Sequence, residues 1–190
     1  MAYACNRHKQ RSRVATGLTT AVLTLLVAAP PRAVGTTAVL GVSATVNANC
    51  TITTSAVSFG RYESLQANAT APLNAAGTVS IACSKGSAPR IAMDLGQNPS
   101  GGKRYMALVA AGGPASTLHY ELYQPATAAP GAGCIFPGAA AWGSAATQAF
   151  VPRAASGRAP RTYSICGTVP AGQAVRMGSY ADTVVATVNF

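Results

Sequence analysis

In one segment of this chain after another, apolar and polar side chains alternate one for one. Leu40, Val42, Ala44 and Val46 share one face of an extended segment, and Gly41, Ser43, Thr45 and Asn47 share the other. The same period returns at Val79 and Ile81, at Ile91, Met93 and Leu95, and at Leu118, Tyr120 and Leu122. Alternation places one set of side chains against a core and the other in water, which suits a half-buried strand and no helix. Strands are expected at 40–46, 51–54, 57–59, 77–82, 91–95, 105–109, 118–123, 161–169 and 181–190. Asn98-Pro99-Ser100-Gly101-Gly102 and Gly112-Gly113-Pro114 are turn signals between them. Residues 125–144, rich in Ala, Gly and Pro, are expected to form a long loop with short strand pieces. The spacing predicts an all-β fold of sandwich type.

The N-terminus has a different character. Arg7, His8, Lys9, Arg11 and Arg13 precede an uncharged run from Val14 to Ala29, and Ala33-Val34-Gly35 has the small-x-small form of a cleavage site. Residues 1–35 therefore read as a signal peptide, cleaved near Ala33 or Gly35. The run of 16 residues is short for a membrane-spanning helix, which needs about 20. The membrane is expected to be crossed only in transit, with a mature chain of 36–190 that is exported and soluble. Loss of Arg7, Lys9, Arg11, Arg13 and Arg32 from the 14 basic residues leaves nine, against four acidic ones. The formal +10 thus falls to a moderate positive charge. Cys5 leaves too. Cys50, Cys83, Cys134 and Cys166 remain, an even set suited to two disulfides in an oxidising compartment. Three pairings are open at this point. No pair has the spacing of a zinc knuckle, so no metal is expected.

Only 9% of the residues are charged. Nucleic-acid binders of similar net charge carry denser basic clusters, so no nucleic acid is expected as a partner. Catalysis has few candidates. His119 is the sole histidine of the mature chain, and Glu63, Asp94, Glu121 and Asp182 are its only carboxylates. His119 and Glu121 share the solvent face of one strand and are placed to form an ion pair. Nucleophile-elbow, zinc-helix and phosphate-loop motifs are missing. No catalytic residue, cofactor or enzymatic activity is assigned. Gly101-Gly102-Lys103-Arg104 reads as a turn with solvated charges. Arg153, Arg158 and Arg161 read as a solvated basic loop, with contact to anionic polysaccharide, DNA or an abiotic surface as the sharper alternative. Trp142 is expected to pack inside rather than to serve as a sugar platform.

Several motifs, in order, resemble the spore coat protein U domain family. They are Ala48-Asn49-Cys50-Thr51-Ile52, Val57-Ser58-Phe59-Gly60-Arg61-Tyr62 and Gly77-Thr78-Val79-Ser80-Ile81-Ala82-Cys83-Ser84. Leu118-His119-Tyr120-Glu121-Leu122-Tyr123 and Val169-Pro170-Ala171-Gly172-Gln173 follow, then 177–188 from Met177-Gly178-Ser179-Tyr180 to Val188. The resemblance spans about residues 38–190. It implies an incomplete immunoglobulin-like β-sandwich completed by a donor strand, in a subunit of an archaic chaperone–usher pilus or a secreted surface coat. It also implies the pairing Cys50–Cys83, and with it Cys134–Cys166. The partners implied are a periplasmic chaperone, an outer-membrane usher and neighbouring pilus subunits, with the cell surface or pilus as the location. Residues 36–47 then become the candidate donor strand, with Leu40, Val42, Ala44 and Val46 facing inward. Val184, Ala186, Val188 and Phe190 become the strand beside the groove and the chaperone contact. A secreted monomeric binding or adhesion module is the alternative.

Overall fold

In the computed structural model, residues 35–109, 114–136 and 140–190 are described. The expected signal segment, apart from Gly35, and the expected turn at Gly112-Gly113 lie outside them. The chain divides into two units, Met1–Ser43 and Ala44–Phe190. Of the first, the described residues 35–43 are exposed and without regular structure.

Among the described residues, the second unit has eight strands and one helical turn: β1 (Cys50–Ser55), α1 (Ala67–Thr70), β2 (Leu73–Cys83), β3 (Arg90–Met93), β4 (Arg104–Leu108), β5 (Thr117–Tyr123), β6 (Arg161–Val169), β7 (Tyr180–Ala181) and β8 (Ala186–Asn189). Six strands form an antiparallel sheet in the order β1-β2-β6-β5-β4-β7, and β3 pairs with β8 in a second sheet. The alternation predicted in β2 and β5 is the alternation observed. Val79, Ile81 and Cys83 of β2 and Leu118, Tyr120 and Leu122 of β5 are buried, joined by Tyr163, Ile165 and Val169 of β6 and Ile91 and Met93 of β3. These side chains form the core between the two layers.

Two disulfides fasten it. Cys50 and Cys83 face each other in the β1–β2 register and are bonded. Cys134 is bonded to Cys166 of β6, which anchors the loop of residues 125–144 to the sheet. Each closes a loop of just over 30 residues, worth about 3–4 kcal/mol in the chain-entropy account. The same loop delivers Trp142 to the core. Its indole N–H donates to Ile91 O at 2.8 Å, and its ring lies against Phe150, which stacks edge-on to Tyr163. A fully buried indole cannot be a sugar platform.

Four expectations fail for identifiable reasons. Residues 40–46 form no strand, because no neighbouring strand pairs with them. Val57–Phe59 is no strand either, since the chain has left the sheet edge there (below). The expected 181–190 strand breaks in two: β7 joins the large sheet and β8 the small one, with Asp182–Val185 forming the corner. Arg104 is not a solvated charge. Gly101 and Gly102, both at positive φ, turn the chain as expected, but Arg104 points inward and is 2% exposed. It donates from Nε to Asp94 O at 2.8 Å and from Nη2 to Trp142 O at 2.7 Å and Met93 O at 3.2 Å. These bonds tie the β3 end to the Trp142 loop, and burial lowers the guanidinium pKa. The helical turn α1 was not expected at all.

Truncating Trp142 to Ala should remove a large buried ring and the donor to Ile91 O. A loss of about 3–5 kcal/mol is expected in urea unfolding of the purified chain.

Candidate functional site

The small sheet covers only part of the large one. Between its β8 edge and the segment 56–62 lies an open groove of about 1180 Å³, larger than the roughly 300–1,000 Å³ of ordinary small-molecule sites. Its floor is the inward face of the large sheet: Leu73 of β2, Leu118, Tyr120 and Leu122 of β5, and Ile165 and Val169 of β6. Met93 and Met106 also line it.

One wall exists because of two glycines. Gly77 of β2 and Gly167 of β6 occupy inward-facing positions where large residues would otherwise sit. A Cβ at Gly167 would lie 2.7 Å from both Phe59 Cζ and Val57 Cγ1, and one at Gly77 would lie 2.8 Å from Val57 Cγ2 and Ser55 O. The chain therefore leaves the β1 edge after Ser55 and crosses directly over β2 and β6, with Val57 seated on the two glycines. Phe59 reaches the Tyr120 ring edge-on, with centroids 6.2 Å apart. Gly60, at φ +76°, turns the segment. Tyr62 pins its far end: the hydroxyl donates to Pro170 O at 2.9 Å and accepts from Gln173 N at 3.0 Å. Gln173 also serves β5. Its side-chain amide accepts from His119 N and donates to His119 O, standing in for a pairing strand where β6 has ended.

The opposite wall is held by carboxylates. Asp182 Oδ2 accepts from the Tyr120 hydroxyl at 2.6 Å, and its Oδ1 accepts from Gln97 N and Asn98 Nδ2. Asp94 Oδ1 accepts from Gly96 N and Val185 N, each at 2.9 Å. Gly96 sits at φ +78° so close to Asp182 that a side chain there would overlap the carboxylate. Burial, then the bond to Asp182, raises the Tyr120 pKa far above the usual tyrosine value. Two of the four Asp and Glu side chains of the chain thus serve as structural acceptors.

The groove has strand edges but no strand between them. β8 pairs with β3 on one side, and no strand among the described residues pairs with its other side. Unpaired N–H and C=O groups thus lie beside the apolar side chains of the groove floor.

Of the residues picked from sequence, Val184 and Ala186 line this groove, Val188 packs against the core next to them, and Phe190 is 54% exposed. Leu40, Val42 and Val46 are all more than 80% exposed, and Ala44 is exposed as well. His119 and Glu121 do pair, at 2.8 Å, and Tyr105 stacks beside His119. Among the described residues no group of three or more His, Cys, Asp or Glu is placed to hold a metal ion. The sequence reading passed over Gly77, Gly167, Asp94 and Asp182. A glycine at the buried phase of an otherwise β-branched strand is the available signal, since it marks a close approach of backbone.

Residues 36–187 match the Spore Coat Protein U domain family. A curated relative, Protein U of Myxococcus xanthus, is 32% identical over 187 residues, covering 94% of this chain and 98% of the relative. Among solved structures, the chain is similar to a chain of the CsuC–CsuE chaperone–tip adhesion subunit pre-assembly complex from the archaic chaperone-usher Csu pili of Acinetobacter baumannii. That match has 21% identity and a TM-score of 0.50, covering 77% of this chain and 41% of the other, and it is a likeness of fold. The minor tip subunit HdaB of the E. coli Hda pilus also matches, with 16% identity, a TM-score of 0.35, and coverage of 74% and 79%.

Two outcomes test this geometry. Gly167→Val should force Val57 and Phe59 off the sheet and cost about 1–3 kcal/mol in urea unfolding. Because the folded state raises the Tyr120 pKa, the stability it contributes is complete below the ordinary tyrosine pKa of about 10 and is lost as pH rises beyond it. The urea midpoint should fall above that pH. Tyr120→Phe should lessen that slope without abolishing it, since the Tyr123 and Tyr163 values are raised too.

Proposed function

The chain belongs to the Spore Coat Protein U domain family, and on that premise we propose that it is an exported structural subunit of a pilus or surface coat that assembles by donor-strand complementation. The observation that carries this reading is the open groove over the inward face of the large sheet, bordered by the β8 edge that no strand among the described residues pairs with. An extended segment with period-2 apolar side chains satisfies both needs of such a groove, covering the floor and pairing the edge. Residues 36–47 have that pattern, and Leu40, Val42 and Val46 stand exposed. Covering an exposed Leu or Val side chain is worth about 1.5–3 kcal/mol, so Leu40, Val42 and Val46 in register form a strong interaction, to which Ala44 adds less.

In this reading Leu40, Val42, Ala44 and Val46 enter the groove of a neighbouring copy. Val184, Ala186, Val188 and Phe190 lie on the strand beside it and first meet a periplasmic chaperone, before an outer-membrane usher exchanges chaperone for subunit. Residues 1–35 direct export. A structural role also accounts for the chemistry of the chain, two of whose four carboxylates, Asp94 and Asp182, accept hydrogen bonds that hold the groove wall.

Deletion of 36–47 provides the test. The truncated protein should still be recovered as a 1:1 complex when co-expressed with its chaperone, and it should form no polymers by size-exclusion chromatography or electron microscopy. Unchanged polymerisation sinks the donor assignment, and a stable, self-complemented monomer without a chaperone favours the monomeric binding module.

A further inference from the structure

The charges of the folded chain are segregated. Backbone hydrogen bonds join the loop after β2 to residues 150–155: Gly86 N to Ala155 O at 2.8 Å, Ala155 N to Ser87 O at 3.0 Å, and a reciprocal pair at 2.9 Å between Ile91 and Phe150. This stitching brings Lys85 and Arg90, on one strip, beside Arg153 and Arg158 on the other, and all four are exposed. Arg161, half-buried on β6, donates from Nη1 to Arg153 O, so a fifth guanidinium is bonded into the same strip. Arg158 also lines a hollow of about 250 Å³ with Asn49, Cys50, Thr51 and Ser84, beside the Cys50–Cys83 disulfide. Five of the nine basic residues of 36–190 thus meet on one region. No carboxylate answers them. The one ion pair among the described residues is His119–Glu121, and Asp94 and Asp182 are spent on the far wall of the groove.

We infer that this strip is a binding surface for an acidic polysaccharide. Uncompensated cations placed together concentrate field and attract a polyanion. The neighbourhood favours a carbohydrate chain over nucleic acid. The aromatic side chains beneath the strip, Trp142, Phe150 and Tyr163, are buried and offer no platform for bases, and its exposed part has no helix to enter a groove. Guanidinium groups pair with carboxylates in a two-pronged way, so a polyuronate suits an arginine-rich strip. The inference uses only the export part of the proposed function, and donor-strand assembly can fail without affecting it.

The processed full-length chain should be retained on immobilised polygalacturonate at 50 mM salt and released as salt rises, with no retention on neutral dextran. Combining Arg153→Gln with Arg158→Gln should weaken binding about tenfold and lower the salt slope by about two. Arg61→Gln combined with Lys103→Gln removes the same charge elsewhere and should change binding less than twofold. Arg153→Lys with Arg158→Lys should keep most of the binding, which separates loss of charge from loss of fold. Equal loss in the two Gln pairs, retention on dextran, or tighter binding to duplex DNA of matched charge would each overturn the inference.

Discussion

A β-sandwich core has to be covered from both sides, and in this protein the second layer stops two strands wide. The large sheet presents an inward face running from β2 through β6 to β5, while β3 and β8 shield only part of it. Everything distinctive follows from that mismatch. Leu118, Leu122, Ile165 and Val169 are buried enough to belong to the core, yet they also floor an open groove. The backbone edge of β8 has hydrogen bonds to give on the groove side and no strand there to receive them. Apolar surface and unpaired backbone in one place are both unfavourable in water, and one added strand relieves them together.

An unfilled layer needs rigid walls, or the sheets would slide together and close it. The walls are held without a continuous strand. On one side Val57 rests on Gly77 and Gly167, and Tyr62 locks the end of the segment to Pro170 and Gln173. On the other, Asp182 and Asp94 accept hydrogen bonds from Tyr120, Gln97, Asn98, Gly96 and Val185. Arg104, buried without a carboxylate, performs the same service with three carbonyl oxygens. The scarce charges therefore include buried or walled-in groups that position backbone, Arg104, Asp94 and Asp182 among them, and exposed basic side chains that pair with no carboxylate among the described residues. A chain with four carboxylates, two of them fixed as structural acceptors, has little left for acid–base chemistry.

Much of the large sheet was legible beforehand, because Val79 and Ile81, Leu118, Tyr120 and Leu122, and Tyr163 and Ile165 recur at every second position and face inward. β2, β5 and β6 lie where Val79-Ser80-Ile81, Leu118-His119-Tyr120 and the run after Arg161 indicate. The errors fall where local pattern and tertiary partner part company. Val57-Ser58-Phe59 alternates like a strand, but two glycines distant in sequence let it cross the sheet face. Residues 181–190 alternate continuously, yet Asp182 is drawn to Tyr120 and splits them between two sheets. Lys103 and Arg104 look alike in sequence, and only the packing of the Trp142 loop turns one of them inward.

By itself, the sequence determined an all-β domain with a segment of alternating apolar residues ahead of it, since period-2 patterning follows from strand geometry alone. It also determined the family, through the order of its motifs. The tertiary structure decided that a groove exists, which residues floor and wall it, and that dispersed arginines share one surface. The physical reason is common to all three. They depend on which backbone edges find partners and which do not, and pairing between strands some 100 residues apart leaves no mark in any local window.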